Sequence, residues 1–239
     1  MSTSSSNAKP MRTVDVTSFV SFIKETDVFD LLVDLVVFRG QPVQGNLLPN
    51  VARNAPDVDT TDIERKILEQ LKLQGASMLS GHVSTDLDVL VLAQHFGLKT
   101  RLLDWTSNPL VALWFACSAP VKGDVYVYAL EADKLLATDV YEQDPFSRAA
   151  TKVIQPRQNN PRIIAQQGWF TLHRYATKNK KFVALEKNPA TAACLHEYRI
   201  PAGKRSELLT ALDRHGISAK TIYPDLAGLC EHLNWKYNC

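Results

Sequence analysis

The sequence predicts a single α+β domain, and three observations lead to that prediction. Helical and strand patterns follow each other in irregular order along the 239 residues. Hydrophobic residues make up 45% of the chain, enough for a sizeable core. No internal repeat and no long linker divides the pattern into two units. Residues 1–12 are rich in serine and are expected to be a disordered tail, so the domain is predicted to span 13–239.

The first third of the chain contains a predicted helix, a buried strand and a second helix. The apolar residues of "DVTSFVSFIKETD" have helical spacing, and Asp15 or Thr17 is available as a cap. The apolar run at 35–38 predicts a strand that carries Arg39 and Gly40 at its end. "TTDIERKILEQLKLQGA" predicts a helix because apolar residues recur at helical spacing before a glycine.

The middle of the chain predicts two helices joined by a short extended segment. "STDLDVLVLAQHFGLKT" begins with capping residues and ends at Gly97, so Gln94 and His95 fall in the last helical turn. "TRLLDWTS" is short and extended. "NPLVALWFACSA" then predicts a helix with Asn108 as the N-cap and Pro109 in the first helical position.

The second half of the chain predicts further strands and two terminal helices. "GDVYVYALE" alternates as a strand does, whereas residues 131–160 are polar and irregular. "RIIAQQGWFTLHR" is interpreted as two extended segments joined by a turn or bulge. "KKFVALEKN" and "CLHEYRIP" are predicted strands, and "AGKRSELLTALDRHG" and "YPDLAGLCEHLNWKYN" are predicted helices.

Composition excludes several classes of function. The net charge is +2, which argues against non-specific binding of nucleic acid or of an anionic membrane. The four cysteines form no CxxC pair, so neither a zinc site nor a disulfide framework is predicted, and reduced thiols in the cytoplasm are expected. The start of the chain has no apolar signal core, and no apolar run is long enough for a membrane helix.

Polar side chains in apolar surroundings mark a candidate pocket. They are Arg39, the group Arg101, Asp104, Thr106 and Ser107, and the pair Gln166 and Gln167. A strand-end arginine next to a glycine, and a Thr-Ser pair at a helix start, suit a phosphate-bearing ligand. We expect Arg101 and Asp104 to pair and hold the bend, while Thr106 and Ser107 face Arg39. Each residue also has a structural explanation as a capping, pairing or solvated group.

Other catalytic patterns are missing from the sequence. It contains neither GxGxxG nor GxxxxGK[ST], which argues against a doubly wound dinucleotide-binding sheet and a P-loop. GxSxG is missing too, which argues against a serine-hydrolase elbow. The six histidines have no metal-ligand spacing, so no metal is predicted; His95 alone is kept as a candidate because it precedes the polar group.

Four segments resemble the bacterial FRG domain family, which is named for its Phe-Arg-Gly tripeptide. They are "VVFRGQ", with the tripeptide at 38–40, "AQHFGLKTRLLDWTSNPLVALWFA", "IIAQQGWFTLH" and "IYPDLAGL". The resemblance runs from about residue 17 to residue 233. It identifies the domain more surely than it identifies a reaction.

The order of the motifs is also similar to the arginine–serine–glutamate class of ADP-ribosyltransferases. That resemblance implies a split central sheet, mixed or antiparallel, with flanking helices. It implies NAD as substrate and a macromolecular or nucleotide acceptor, with the chain acting as a toxin or an anti-phage defence effector. Arg39 would hold the NAD phosphates and ribose, and Ser107, with Thr106, would orient the nicotinamide ribose. The implied NAD-binding residues are Arg39, Gly40, Gln41, His95, Arg101, Asp104, Thr106 and Ser107.

The sequence departs from that class at its third site. Gln166 and Gln167 stand where a glutamate is expected, and an amide cannot stabilise positive charge as a carboxylate does. The catalytic set is therefore Arg39, Ser107 and the two glutamines, with Glu186, Glu197 or Asp104 as candidates for the carboxylate. Two alternatives stay open: a nucleotide- or phosphate-binding sensor without turnover, and an interaction scaffold.

Overall fold

The computed structural model describes residues 12–31, 33–79 and 84–238. Residues 1–11 of the predicted disordered tail lie outside these ranges. The strands are β1 (Thr13–Asp15), β2 (Val36–Gln41), β3 (Leu102–Thr106), β4 (Val125–Glu131), β5 (Lys152–Ile154), β6 (Gly168–Leu172), β7 (Tyr175–Ala176), β8 (Lys181–Phe182) and β9 (Leu195–Ile200).

Seven of these strands form one mixed sheet in the order β1-β9-β4-β2-β3-β6-β5, while β7 and β8 form a separate hairpin. The β1–β9 pair is parallel and the other pairs are antiparallel. The sheet is split near its centre, because β2 and β3 are joined by the single pair Phe38 and Thr106. In contrast, β2 pairs with β4 along its whole length, and so does β3 with β6. We call the gap between β2 and β3 the seam.

Helices surround this sheet. They are α1 (Phe19–Asp27), α2 (Thr61–Gln74), α3 (Ala76–Leu79), α4 (Asp86–His95), α5 (Pro109–Cys117), α6 (Pro161–Ala165), α7 (Pro189–Ala192), α8 (Arg205–Arg214), α9 (Ala219–Ile222) and α10 (Leu226–Tyr237). Thr85 caps α4, and Asn108 with Pro109 begins α5, both as the sequence predicts.

The hydrophobic core consists of separate clusters, and two of them lie on opposite sides of the seam. On one side, α1, α5 and α8 pack on β2, β4 and β9 through residues such as Phe22, Phe38 and Leu208. On the other side, α2 and α4 pack on β3, β5 and β6 through residues such as Leu90 and Phe170. A third cluster, which includes Tyr128 and Trp105, lies on the opposite face of the sheet. The prediction of a central mixed sheet with flanking helices is confirmed.

Several element predictions were wrong in detail. Asp15 does not cap α1, because it lies in β1 and Ser18 is the cap. The segment before Gln166 is the helix α6, which Asn160 caps, rather than an extended segment. The polar stretch 131–160 contains β5. Glu186 lies in a 3₁₀ turn, Leu185–Lys187, and not on a strand, because the strand β8 ends at Phe182.

Candidate functional site

A cavity of about 270 Å³ opens along the seam. Its walls are aromatic: Phe38, Trp105, Phe115 and Tyr223. Its polar groups are Arg39, Asp104, Thr106 and Gln166, and Gly40 completes the lining. The structure therefore brings together four of the polar residues that the sequence singled out, from β2, from β3 and from the end of α6. We call this space the seam cavity.

The side chain of Arg39 crosses the seam where the backbone pairing between β2 and β3 ends. Its Nη1 donates to the carbonyl oxygen of Asp104 at 2.7 Å, and its Nε donates to Oε1 of Gln41 at 3.2 Å. Burial lowers the pKa of Arg39 to about 10, the nearby Asp104 carboxylate opposes this shift, and Arg53 adds to it. The guanidinium is still charged at neutral pH, so the cavity wall carries a fixed cation with unused hydrogen-bonding capacity.

Asp104 is the carboxylate partner of this arginine. Its Oδ2 lies 3.8 Å from Nη1 of Arg39 and accepts a hydrogen bond from Nε2 of Gln94 at 3.1 Å. The side chain is 51% exposed, so one face of the carboxylate is open to a ligand. The expected pair between Asp104 and Arg101 is wrong.

Arg101 lies away from the seam cavity and has a structural partner instead. Its Nη2 donates to Oε1 of Glu64 at 2.8 Å, and its backbone N–H and Nε both donate to Oε2 of the same residue. Its guanidinium also stacks over Phe146 at 4.5 Å. Arg101 is therefore buried and held by Glu64, and its predicted role in binding a nucleotide is not supported by this geometry. Glu64 gave no signal in the sequence because its helical position looks like any exposed turn of α2.

Gly40 is needed for packing. A Cβ atom at this position would lie 1.9 Å from the carbonyl oxygen of Ala112 in α5. The helix, rather than a ligand, occupies the space that the missing side chain leaves. In the Phe-Arg-Gly tripeptide, Phe38 therefore contributes an aromatic ring to the core and Arg39 places a charge at the seam. Gly40 allows the close contact between β2 and α5.

Thr106 and Ser107 point to different places. Thr106 lines the seam cavity, and its hydroxyl accepts a hydrogen bond from the backbone N–H of Asn108 at 3.0 Å. Ser107 lies instead in a neighbouring cavity of about 350 Å³ at the start of α5, together with Asp27 and Asp34. The expectation that Ser107 and this helix start face Arg39 is wrong, because adjacent residues leaving a strand point in opposite directions.

The two glutamines also separate. Gln166 lines the seam cavity, and its Nε2 donates to the carbonyl oxygen of Ile222 at 3.4 Å. Gln167 has φ +47° and receives hydrogen bonds from the backbone and the hydroxyl of Ser107. Of the pair, only Gln166 is available to a ligand in the seam cavity.

Gln41 and His95 lie at the edges of the site. Gln41 accepts from Arg39 and donates to the carbonyl oxygens of Val43 and Gly45, so it fixes the arginine and the following loop. His95 lines a separate cavity of about 250 Å³ with Arg162. Burial lowers the pKa of His95, which favours the neutral ring.

The two later carboxylates are engaged elsewhere. Glu197 is buried in β9, where it accepts from the hydroxyl of Tyr128 at 2.7 Å and from Gln44 and Thr13 at 2.8 Å. Glu186 accepts from the backbone N–H groups of Asn46 and Leu47. Among the residues described, Asp104 is the one carboxylate that lines the seam cavity.

A family model matches part of the chain. The model of the FRG domain matches residues 34–124, a span that contains β2, β3 and α5 and therefore Arg39, Asp104 and Thr106. Comparison with curated proteins and with solved structures gave no match. No helix in the part of the chain that the structure describes is both long and apolar enough to cross a membrane.

Proposed function

Because this chain contains an FRG domain, with the tripeptide lining the seam cavity, we propose that the cavity binds NAD and that the protein transfers ADP-ribose from it. The observation that carries the proposal is the pairing of Arg39 and Asp104 at one opening in the sheet, between aromatic walls. An arginine and a carboxylate at an opening in the sheet support NAD binding and ADP-ribose transfer at this place, as in ADP-ribosyltransferases. Action as a toxin or an anti-phage effector in the bacterial cytoplasm, on a macromolecular acceptor, belongs to the same proposal.

The chemistry of the lining fits the nicotinamide end of NAD. The volume of about 270 Å³ is just below the ~300–1,000 Å³ of sites that bury a whole drug-sized ligand. Only part of the dinucleotide would enter, and the diphosphate would lie toward the open mouth. Phe115 and Tyr223 offer aromatic side chains for contact with a planar heterocycle, and Gln166 offers an amide to its carboxamide.

Asp104 supplies the charge that the reaction needs. When the bond between ribose C1′ and the nicotinamide nitrogen breaks, nicotinamide leaves with the electron pair and the ribose becomes an oxocarbenium-like cation. A carboxylate stabilises that cation, and an acceptor nucleophile then bonds to C1′ and loses its proton. Arg39 would hold a phosphate or ribose oxygen of the substrate.

The test is release of nicotinamide from NAD, followed by mass spectrometry with and without cell lysate. We expect Asp104→Asn and Arg39→Gln each to lower the rate by about 100-fold or more. Ser107→Ala is the control, because its hydroxyl lies outside the seam cavity and it should keep most of the activity. Melting temperatures of all variants separate loss of activity from loss of fold. Unchanged release in Asp104→Asn would contradict the mechanism.

Binding without turnover is the second candidate function. Gln166, which lines the cavity in the region where a glutamate is expected, favours it, because an amide binds a ribose hydroxyl but cannot stabilise a cation. In that case a nucleotide would raise the melting temperature as expected for a ligand of the folded state, while NAD would stay intact.

A further inference from the structure

A second cavity, separate from the seam cavity, lies between the end of α5 and helices α8, α9 and α10. It has a volume of about 150 Å³, and its lining includes Trp114, Asp213, Glu231, His232 and Trp235. We call it the tryptophan cavity. Its size suits a molecule of a few non-hydrogen atoms, and nothing in the proposed reaction uses it.

The charge of the lining is negative. Asp213 and Glu231 contribute two carboxylates, and among the described residues neither forms an ion pair with a lysine or an arginine. The guanidinium of Arg205, near the end of α5, is occupied by the carbonyl oxygens of Cys117 and Ala119. Carboxylates without a cation in a partly enclosed space favour a positively charged ligand.

His232 provides an observation that does not depend on those carboxylates. Its ring is 3% exposed, and its Nδ1 makes no hydrogen bond in the described structure. The nearest acidic group is Oδ1 of Asp213 at 3.7 Å, beyond hydrogen-bond distance. A buried ring nitrogen without a partner is unusual and marks a place where a polar group is missing. The gap beside Asp213 is therefore suited to an N–H or O–H group of a ligand.

Two aromatic side chains complete the site. Trp114 is buried and Trp235 is partly exposed, and both line the same cavity as the carboxylates. Tryptophan is the side chain that attracts cations most strongly through its ring face. From these residues we infer that the tryptophan cavity binds a small organic ammonium ion, held by Asp213, Glu231 and the two indole rings.

The experiment compares a cation with its neutral counterpart. Choline and 3,3-dimethylbutan-1-ol have almost the same shape and differ in the charge of the central atom. Binding to the full chain is measured by calorimetry and by the change in tryptophan fluorescence. We expect choline to bind saturably and the alcohol to bind at least tenfold more weakly. Ethylammonium, tested in the same way, covers the case of a primary amine.

Variants assign the binding to this cavity. Asp213→Asn and Glu231→Gln are each expected to weaken binding of the better cation at least tenfold, with little change in melting temperature. Glu207→Gln is the control, since this exposed carboxylate on α8 pairs with Lys204. The inference is overturned if neither cation binds, if the alcohol binds as well as choline, or if the two cavity variants bind like the control.

Discussion

Arg101 and Glu64 form an ion pair inside the protein, with 1% and 3% of their side chains exposed. The pair joins the start of β3 to α2, and a hydroxyl of Thr60 also donates to Glu64 at 2.7 Å. Because Arg101 directly precedes the strand that carries Asp104, this contact sets the position of one side of the seam. Its role is to stabilise the site without touching a ligand.

Glu64→Gln should lower the free energy of unfolding by about 3–5 kcal/mol, because it leaves a buried guanidinium without its counter-charge. Urea denaturation measures the change. Glu69→Gln, at an exposed position of the same helix, is the matched control and should change stability by less than about 0.5 kcal/mol. Equal effects from both variants would argue against a stabilising pair.

Gly40→Ala should be poorly tolerated. The added methyl group would meet backbone atoms of Ala112 and Ala116, which cannot move aside as a flexible side chain can. We expect a loss of about 3 kcal/mol or more in stability, at the upper end of what overpacking costs. Gly123→Ala is the control, because no atom lies within 4 Å of its added Cβ. If both variants melt at the same temperature, the proposed contact between β2 and α5 is wrong.

Acid should destabilise the protein through His173. Burial, with the charges of Arg39 and Arg101, lowers the pKa of His173 to about 3. In the unfolded chain the pKa of histidine is about 6.5, so between these two values only the unfolded state binds the proton. Stability is therefore lost as the pH falls from about 6.5 toward 3, by about 1.4 kcal/mol per pH unit.

The variant His173→Gln tests this assignment. In this variant, the slope of the unfolding free energy against pH over that range should fall by the equivalent of about one bound proton. This holds even if the variant is less stable at neutral pH. A parent slope that survives in His173→Gln would assign the effect to other groups.

Glu197→Gln should affect folding more than chemistry. The carboxylate accepts three side-chain hydrogen bonds in a buried position, so the amide should cost about 1–3 kcal/mol of stability. Nicotinamide release, measured where the variant is folded, should stay within about threefold of the parent rate, unlike that of Asp104→Asn. Loss of release in a folded Glu197→Gln protein would return this residue to the catalytic candidates.

Local signals in the sequence predicted most of the elements but not every partner. Asn108 with Pro109 predicts the start of α5, since capping depends on adjacent residues. Arg39, Asp104, Thr106 and Gln166 were predicted to share a site, and they line one cavity. Glu64 could not be found as the partner of Arg101, because an ion pair across 37 residues of chain leaves no local pattern.

The sequence predicts which residues lie near each other better than it predicts where their side chains point. The sequence places Thr106 and Ser107 side by side, yet the two residues line different cavities. The sequence does not predict α6 because the helix has only five residues, and its cap, Asn160, lies in a stretch with the composition of a loop. Tyr223 and Phe115 carried no polar signal, so the aromatic walls of the seam cavity became visible only in three dimensions.

The split in the sheet also bears on how this protein can change over evolutionary time. Each side of the seam is held by its own backbone ladder, β2 to β4 and β3 to β6, and one backbone pair joins the two sides. The width and polarity of the opening therefore depend on a few side chains, chiefly Arg39 and its neighbours. Substitutions at these positions can alter which molecule fits while both ladders keep their register. A new specificity is then accessible without rebuilding the fold.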